Sequence, residues 1–173
     1  EYDKLKEKLE NNNKSLLLAH AWDAYRHLLV KKGSNTLLKI TTEEYFSLIT
    51  SQLSVLFEEN SSNRKYFILG VPQRPKTNTF ECMSRTELWG ARLFDKCNEV
   101  ENKKDMKINH LLSDFSDKNP NVYFINPNDS LCTGQKCLVI NNMEPIYTDL
   151  EHLSVFGTDF VIDEILLKMA VTN

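Results

Sequence analysis

The sequence predicts an α/β fold, with a mostly parallel sheet sandwiched between layers of helix. Three observations carry this. Residues 15–19, 65–71 and Val122–Ile125 are short, continuous apolar runs, the pattern of strands buried on both faces. Longer segments between and after them place apolar residues at helical spacing. Strand and helix therefore alternate, an order that builds a parallel sheet through right-handed crossovers. A length of 173 residues suits a single domain over 1–173 with a sizeable core.

Taken in order, Tyr2, Leu5 and Leu9 sit one helical turn apart and mark 2–10 as the end of an amphipathic helix, broken by Asn11 to Asn13. The run 15–19, Ser-Leu-Leu-Leu-Ala, is the first strand. His20, Trp22 and Tyr25 follow it at once, where parallel sheets place ligand-facing loops. They read equally as a pocket lining and as a cover for the sheet edge. Thr41 and Glu44 form a capping box. Tyr45, Phe46, Ile49, Leu53, Leu56 and Phe57 then continue as a helical stripe to about Asn60, before a turn at 60–63.

The second strand, 65–71, ends at Pro72 and Pro75, which open a long loop carrying Cys82. Gln73 and Arg74 on that loop are candidates for substrate contact or simply solvated. Helices are predicted over 85–97, with Leu88, Leu93 and Phe94 on one face, and over 106–115, with Ile108, Leu111, Leu112 and Phe115. His110 in the second reads as a packed or surface side chain. After the third strand, Val122–Ile125, residues 126–130 are turn-like. Residues 138–140 and 146–147 are short strand-like pieces. The last helix spans Val155–Val171, with Phe156, Phe160, Ile162, Ile165, Leu166 and Met169 available to pack on the sheet.

The net charge of −3 argues against nucleic acid or an anionic membrane surface as partner. No apolar run approaches the roughly 20 residues of a membrane span, and no signal-peptide pattern is present. The abrupt charged start at 1–10 reads as a beginning inside a larger protein.

Four cysteines, Cys82, Cys97, Cys132 and Cys137, permit three connectivities. Cys132-Thr-Gly-Gln-Lys-Cys137 is a short loop whose Gly lets its ends meet, and Cys82 and Cys97 flank one segment. Sequential pairing, Cys82 with Cys97 and Cys132 with Cys137, follows from this. Four buried thiols are the alternative. Zinc is disfavoured, because neither pair has Cys-x-x-Cys spacing, and no metal is expected. Disulfides imply an oxidising compartment.

The chemistry is concentrated in 145–157, Pro-Ile-Tyr-Thr-Asp-Leu-Glu-His-Leu-Ser-Val-Phe-Gly. Asp149 and His152 stand three positions apart. A carboxylate beside an imidazole fixes its tautomer and raises its basicity, which suits a general base acting on a hydroxyl nucleophile. Alone, Asp-x-x-His reads first as a helix N-cap with an exposed His nearby.

The flanks add weight. Tyr-x-Asp-x-x-His-Leu-Ser-x-x-Gly behind a paired-cysteine loop resembles the last sequence block of the SGNH hydrolase/acyltransferase superfamily. It most resembles the domains fused behind the membrane acyltransferase of bacterial polysaccharide O-acetylation proteins. The likeness is specific from about Asn121 onward and looser over 15–85. It implies a three-layer, flavodoxin-like fold, and a Ser-His-Asp triad in which His152 is the base and Asp149 its orienting carboxylate. Where the family often has an Ala-Arg-Trp-like segment, this chain has Ala21 in place of the Arg, so only Trp22 is carried over as a substrate-binding residue. The resemblance further implies a carbohydrate substrate and a membrane acyltransferase domain on the same polypeptide. It also implies a periplasmic or extracellular position tethered to the inner membrane, and no cofactor.

The likeness fails at the nucleophile. There is no Gly-Asp-Ser block and no Gly-x-Asn-Asp block, and 15–19 resembles a later strand of the family rather than its first. The expectation is a C-terminal portion of the domain, lacking its first strand, with the Ser upstream. Asp129-Ser130 is a decoy, two residues before Cys132 in a loop, and Ser154 suits a helix cap. Two functions from different classes are in play: serine-type O-acyl (acetyl) transfer or ester hydrolysis on a cell-envelope polysaccharide, and a non-catalytic binding or scaffold module of the same fold. An unrelated disulfide-bonded α/β domain stands behind both.

Overall fold

The computed structural model describes residues 14–31, 33–59, 64–89, 97, 101–102 and 106–172. Their elements are β1 (Leu16–Ala19), a 3-10 turn (Tyr25–Leu28), α1 (Thr42–Glu59), β2 (Tyr66–Leu69), α2 (Thr79–Trp89), β3 (Glu101–Asn102), α3 (Lys107–Asp117), β4 (Val122–Ile125) and the one-turn α4 (Asn128–Leu131). Two short hairpins follow, β5 (Cys132–Thr133) with β6 (Lys136–Cys137) and β7 (Ile140–Asn141) with β8 (Glu144–Pro145), and α5 (Val155–Val171) closes the chain. The helix expected over 2–10 and the turn at 60–63 lie outside the described residues.

Contacts divide the chain into two compact units, the first from 1–71 with 106–125, the second from 72–105 with 126–173. The first holds the predicted parallel sheet, in the order β1-β2-β4. Each strand steps the same way across the sheet, so crossovers of one hand put α1 and α3 on one face. There Leu53 of α1 and Ile108, Leu112 and Phe115 of α3 pack on Tyr66, Ile68 and Val122, with Trp22 in the same cluster. The capping box is reciprocal: Thr41 N–H donates to Glu44 Oε2 at 2.7 Å, and Glu44 N–H donates to Thr41 Oγ1 at 3.1 Å. Asn109 clips the end of β2 to α3, accepting from Val71 N–H at 2.8 Å and donating to Val71 C=O at 2.9 Å.

The first strand departs from expectation. β2 is buried on both faces, and β4 buries Val122 on one face and Ile125 on the other; along β1, Leu17 is 38% exposed and half-buried Leu16 and Leu18 turn to the core. β1 is an edge strand among the described residues, and an apolar run alone does not distinguish edge from centre.

In the second unit three expectations change. Cys82 lies on a helix rather than a loop, because Asn78 caps α2 by accepting from Glu81 N–H at 3.0 Å, and Glu81 supplies an acidic first turn. The helix predicted over 85–97 therefore begins earlier, at Thr79, and is described as far as Trp89; its part over 90–96 lies outside the described residues. The turn-like 126–130 carries α4, and β3, inside a stretch read as a connection, pairs antiparallel with β6. α5 falls where it was expected. Gly157, Val161 and Ile165 are its buried face, while Ile162 and Leu166 are exposed. A helix apolar on every side gives no stripe to tell its faces apart.

Candidate active site

The loop carrying Asp149 and His152 is closed at its base by the second unit's own backbone. Tyr147 bridges Leu153 antiparallel, and Thr148 N–H donates to His152 C=O at 2.9 Å. One step further, Ser154 N–H donates to Ile146 C=O at 2.9 Å. Ser154 is the N-cap of α5: its hydroxyl accepts from Gly157 N–H at 2.9 Å and donates to Pro145 C=O. Asp149 therefore has no part in capping that helix.

Its carboxylate instead organises the loop. Oδ1 accepts from Glu151 N–H at 2.7 Å and from His152 N–H at 2.8 Å, an Asx turn, while Oδ2 lies 2.8 Å from His152 Nδ1. Two backbone donors and the imidazole stabilise the charged carboxylate, with the Glu151 N–H the largest influence, and hold its pKa down to about 2. The same carboxylate raises the pKa of His152, first through the side-chain hydrogen bond and then through its charge. The His152 side chain is 74% exposed, so with Nδ1 engaged Nε2 is the nitrogen open to a reacting group.

The cysteines join as Cys82–Cys97 and Cys132–Cys137, with Cα atoms 5.7 Å and 3.9 Å apart. The second bridge spans directly opposed residues of β5 and β6, whose turn uses Gly134 at φ +61°.

Trp22 lies in the first unit. It is buried, and its indole N–H donates to Leu69 C=O at 2.7 Å. It lines a largely apolar cavity of about 470 Å³ with Tyr25, Tyr45 and Leu48, where the His20 ring stacks on Tyr25 at 4.9 Å and meets Trp22 edge-on at 5.3 Å. Gln73 is buried, and Arg74 Nη1 stands 3.7 Å from Glu151 Oε1. Ser130 is half-buried on α4. His110 is exposed on α3. Sequence reasoning passed over Asn128 and Tyr147, which hold Gln73 in place. Asn128 sat in an Asn-rich stretch read as a turn, and Tyr147 was only one letter of a motif. Among the described residues no cluster of three or more His, Cys, Asp or Glu could hold a metal ion, and no helix is long and apolar enough to cross a membrane.

Asp149 and His152 thus form a carboxylate–imidazole pair on a disulfide-bearing α/β scaffold. The chain belongs to the family described as the SGNH domain fused to AT3 domains, whose model matches residues 2–166. The match reaches well beyond the block at 145–157. Among solved structures, the chain is similar to the periplasmic domain of the Salmonella ser. Paratyphi A lipopolysaccharide acetyltransferase, with a TM-score of 0.62 and 17% identity. That likeness, a likeness of fold, covers 97% of this chain and 61% of the other, so this chain spans about three-fifths of that length. No curated protein matches it in sequence.

Proposed function

We propose that this chain supplies the base and orienting acid of a serine-type O-acyl transferase or esterase acting on a cell-envelope polysaccharide outside the cytoplasm. The observation that carries the reading is the 2.8 Å contact of Asp149 Oδ2 with His152 Nδ1 beside an exposed ring. With Nδ1–H pointed at the carboxylate, Nε2 takes the proton of a Ser hydroxyl as its oxygen attacks the acyl carbonyl. It then returns that proton to the leaving oxygen, so the acyl group passes to Ser. A sugar hydroxyl, or water, deprotonated by the same nitrogen, releases it. Asp149 stabilises the imidazolium formed between these steps. The chemistry calls for no cofactor or metal.

The nucleophile belongs to a segment outside these 173 residues, since no Gly-Asp-Ser occurs in them. The AT3 fusion in the family description supports a membrane acyltransferase domain on the same polypeptide as acyl donor. The two disulfides support a periplasmic or extracellular position, and the AT3 fusion supports a tether to the inner membrane. For a carbohydrate substrate, the exposed rings of His20 and Tyr25, backed by the buried Trp22, offer aromatic surface.

The test is His152→Ala in the full-length protein, with O-acetyl content of the envelope polysaccharide as readout. Loss of acetylation is expected; unchanged acetylation refutes catalysis. The missing Ser favours a second reading, in which the chain is a binding or scaffold module. Retained glycan binding alongside unchanged acetylation would then describe it.

A further inference from the structure

The loop of Asp149 and His152 is anchored from beneath by Tyr147. That ring is fully buried, and its hydroxyl donates to the carbonyl of Gln73. The N–H of the same Gln73 donates to Asn128 Oδ1, and Asn128 Nδ2 donates to Asn126 Oδ1 at 3.1 Å. Both backbone groups of one residue are thus held by side chains. Gln73, Asn128 and Tyr147 are each almost wholly removed from solvent. From this clamped residue the chain passes to Arg74, which reaches Glu151 between Asp149 and His152. Residues 73–74 therefore meet the loop twice, once at its base and once near its tip.

The two contacts differ in strength. An ion pair with both side chains substantially exposed contributes little. A buried, satisfied polar network is stiff, because breaking it leaves groups without partners away from water. The Tyr147 hydroxyl is the firmer attachment.

We propose that Tyr147 is a positioning residue for His152, locking the loop to the peptide of Gln73 so that Nε2 is presented at one place. The proposal rests on the catalytic reading of Asp149 and His152. It separates placement from basicity. The interactions that raise the pKa of His152 come from Asp149 and Glu151, within the loop itself. Removing the hydroxyl leaves the pair and the loop's own backbone bonds intact and loosens the loop's attachment to Gln73.

The experiment uses Tyr147→Phe in the full-length protein, with acetyl transfer kinetics, the pH profile of kcat and the NMR titration of the His152 ring. Expected is a fall in kcat of about tenfold from misplacement of the base, with KM, the pH midpoint and the His152 titration unchanged. Asn128→Ser, which frees Gln73 from the other side, should act the same way. The double variant should lose less than the product of the two, since both work through one peptide. If Tyr147→Phe does not fold, Asn128→Ser decides alone. Wild-type kcat in the folded variant, or a fall in kcat that tracks a shifted pH midpoint, overturns the proposal. His152→Ala run alongside separates the two readings. If it is fully active, the catalytic reading and this proposal fall together. If it is inactive beside a wild-type Tyr147→Phe, this proposal alone falls.

Discussion

Gly157 lies so close to the carbonyl of Ile146 that a Cβ built on it would sit 2.0 Å from that oxygen. The first turn of α5 is pressed onto the backbone at Ile146, between β8 and the Asp149–His152 loop, and only a residue without a side chain fits. Ser154 fastens the same junction, bonding Pro145 C=O and Gly157 N–H. The Ser and Gly of the block at 145–157 are thus the joint on which the loop turns.

Gly157→Ala should therefore destabilise the protein by about 1–3 kcal/mol, since backbone rather than a flexible side chain must give way. Denaturant unfolding measures it. Ser154→Ala should cost about 1 kcal/mol as a lost N-cap. A Gly157→Ala protein of wild-type stability would show that the helix is not seated as described.

Asp149→Asn should lower the pKa of His152, because its carboxylate is the largest influence raising it. A base works when neutral, so activity of the wild type should rise with pH through a midpoint above 6.5, and the variant's midpoint should move down. Its rate should nonetheless fall by roughly 10²–10⁴-fold as tautomer and orientation are lost. Stability follows the opposite arms. The contribution of His152 is full below 6.5 and fades as pH rises through its raised pKa. That of Asp149 is present above 3.8 and is lost as pH falls toward 2. An unchanged midpoint in Asp149→Asn would contradict the contact.

What the sequence disclosed depended on how local the cause was. The capping box at Thr41 and Glu44, β4 and α5 are determined by neighbours a few residues away, and all three were legible. The start of α2 was equally local, through Asn78 and Glu81, but Pro72 and Pro75 upstream made the whole stretch read as loop. The exposure of Leu17 and the faces of α5 depend on what packs where, which no periodicity states. In the candidate site, Asp149 and His152 stand three residues apart and could be read together. Tyr147 and Gln73 are separated by 74 positions, and a hydroxyl donated to a backbone carbonyl leaves no trace in residue type.

Both disulfides should be present in the native protein. Thiol titration after unfolding without reductant should find none free, and four would remove the argument for an oxidising compartment. Replacing Cys82 and Cys97 by Ser should cost about 2–4 kcal/mol by releasing the loop between them in the unfolded chain. Thermal unfolding of the double variant against wild type, at matched pH, gives the comparison.

The 173 residues alone should hydrolyse a small acetyl ester no faster than their own His152→Ala variant. A nucleophile must stand on a tight turn with backbone N–H groups aimed at the developing oxyanion. Ser130, the one Ser preceded by an Asp in a stretch that follows a strand, lies half-buried on a single helical turn, one residue from the fully buried Leu131. Without a Ser on such a turn no acyl-enzyme forms and no oxyanion is stabilised, however well Asp149 holds the ring. Hydrolysis above the variant's rate, abolished by Ser130→Ala with the fold intact by circular dichroism, would place the nucleophile within this chain. It would also remove the need for a Ser supplied from elsewhere in the protein.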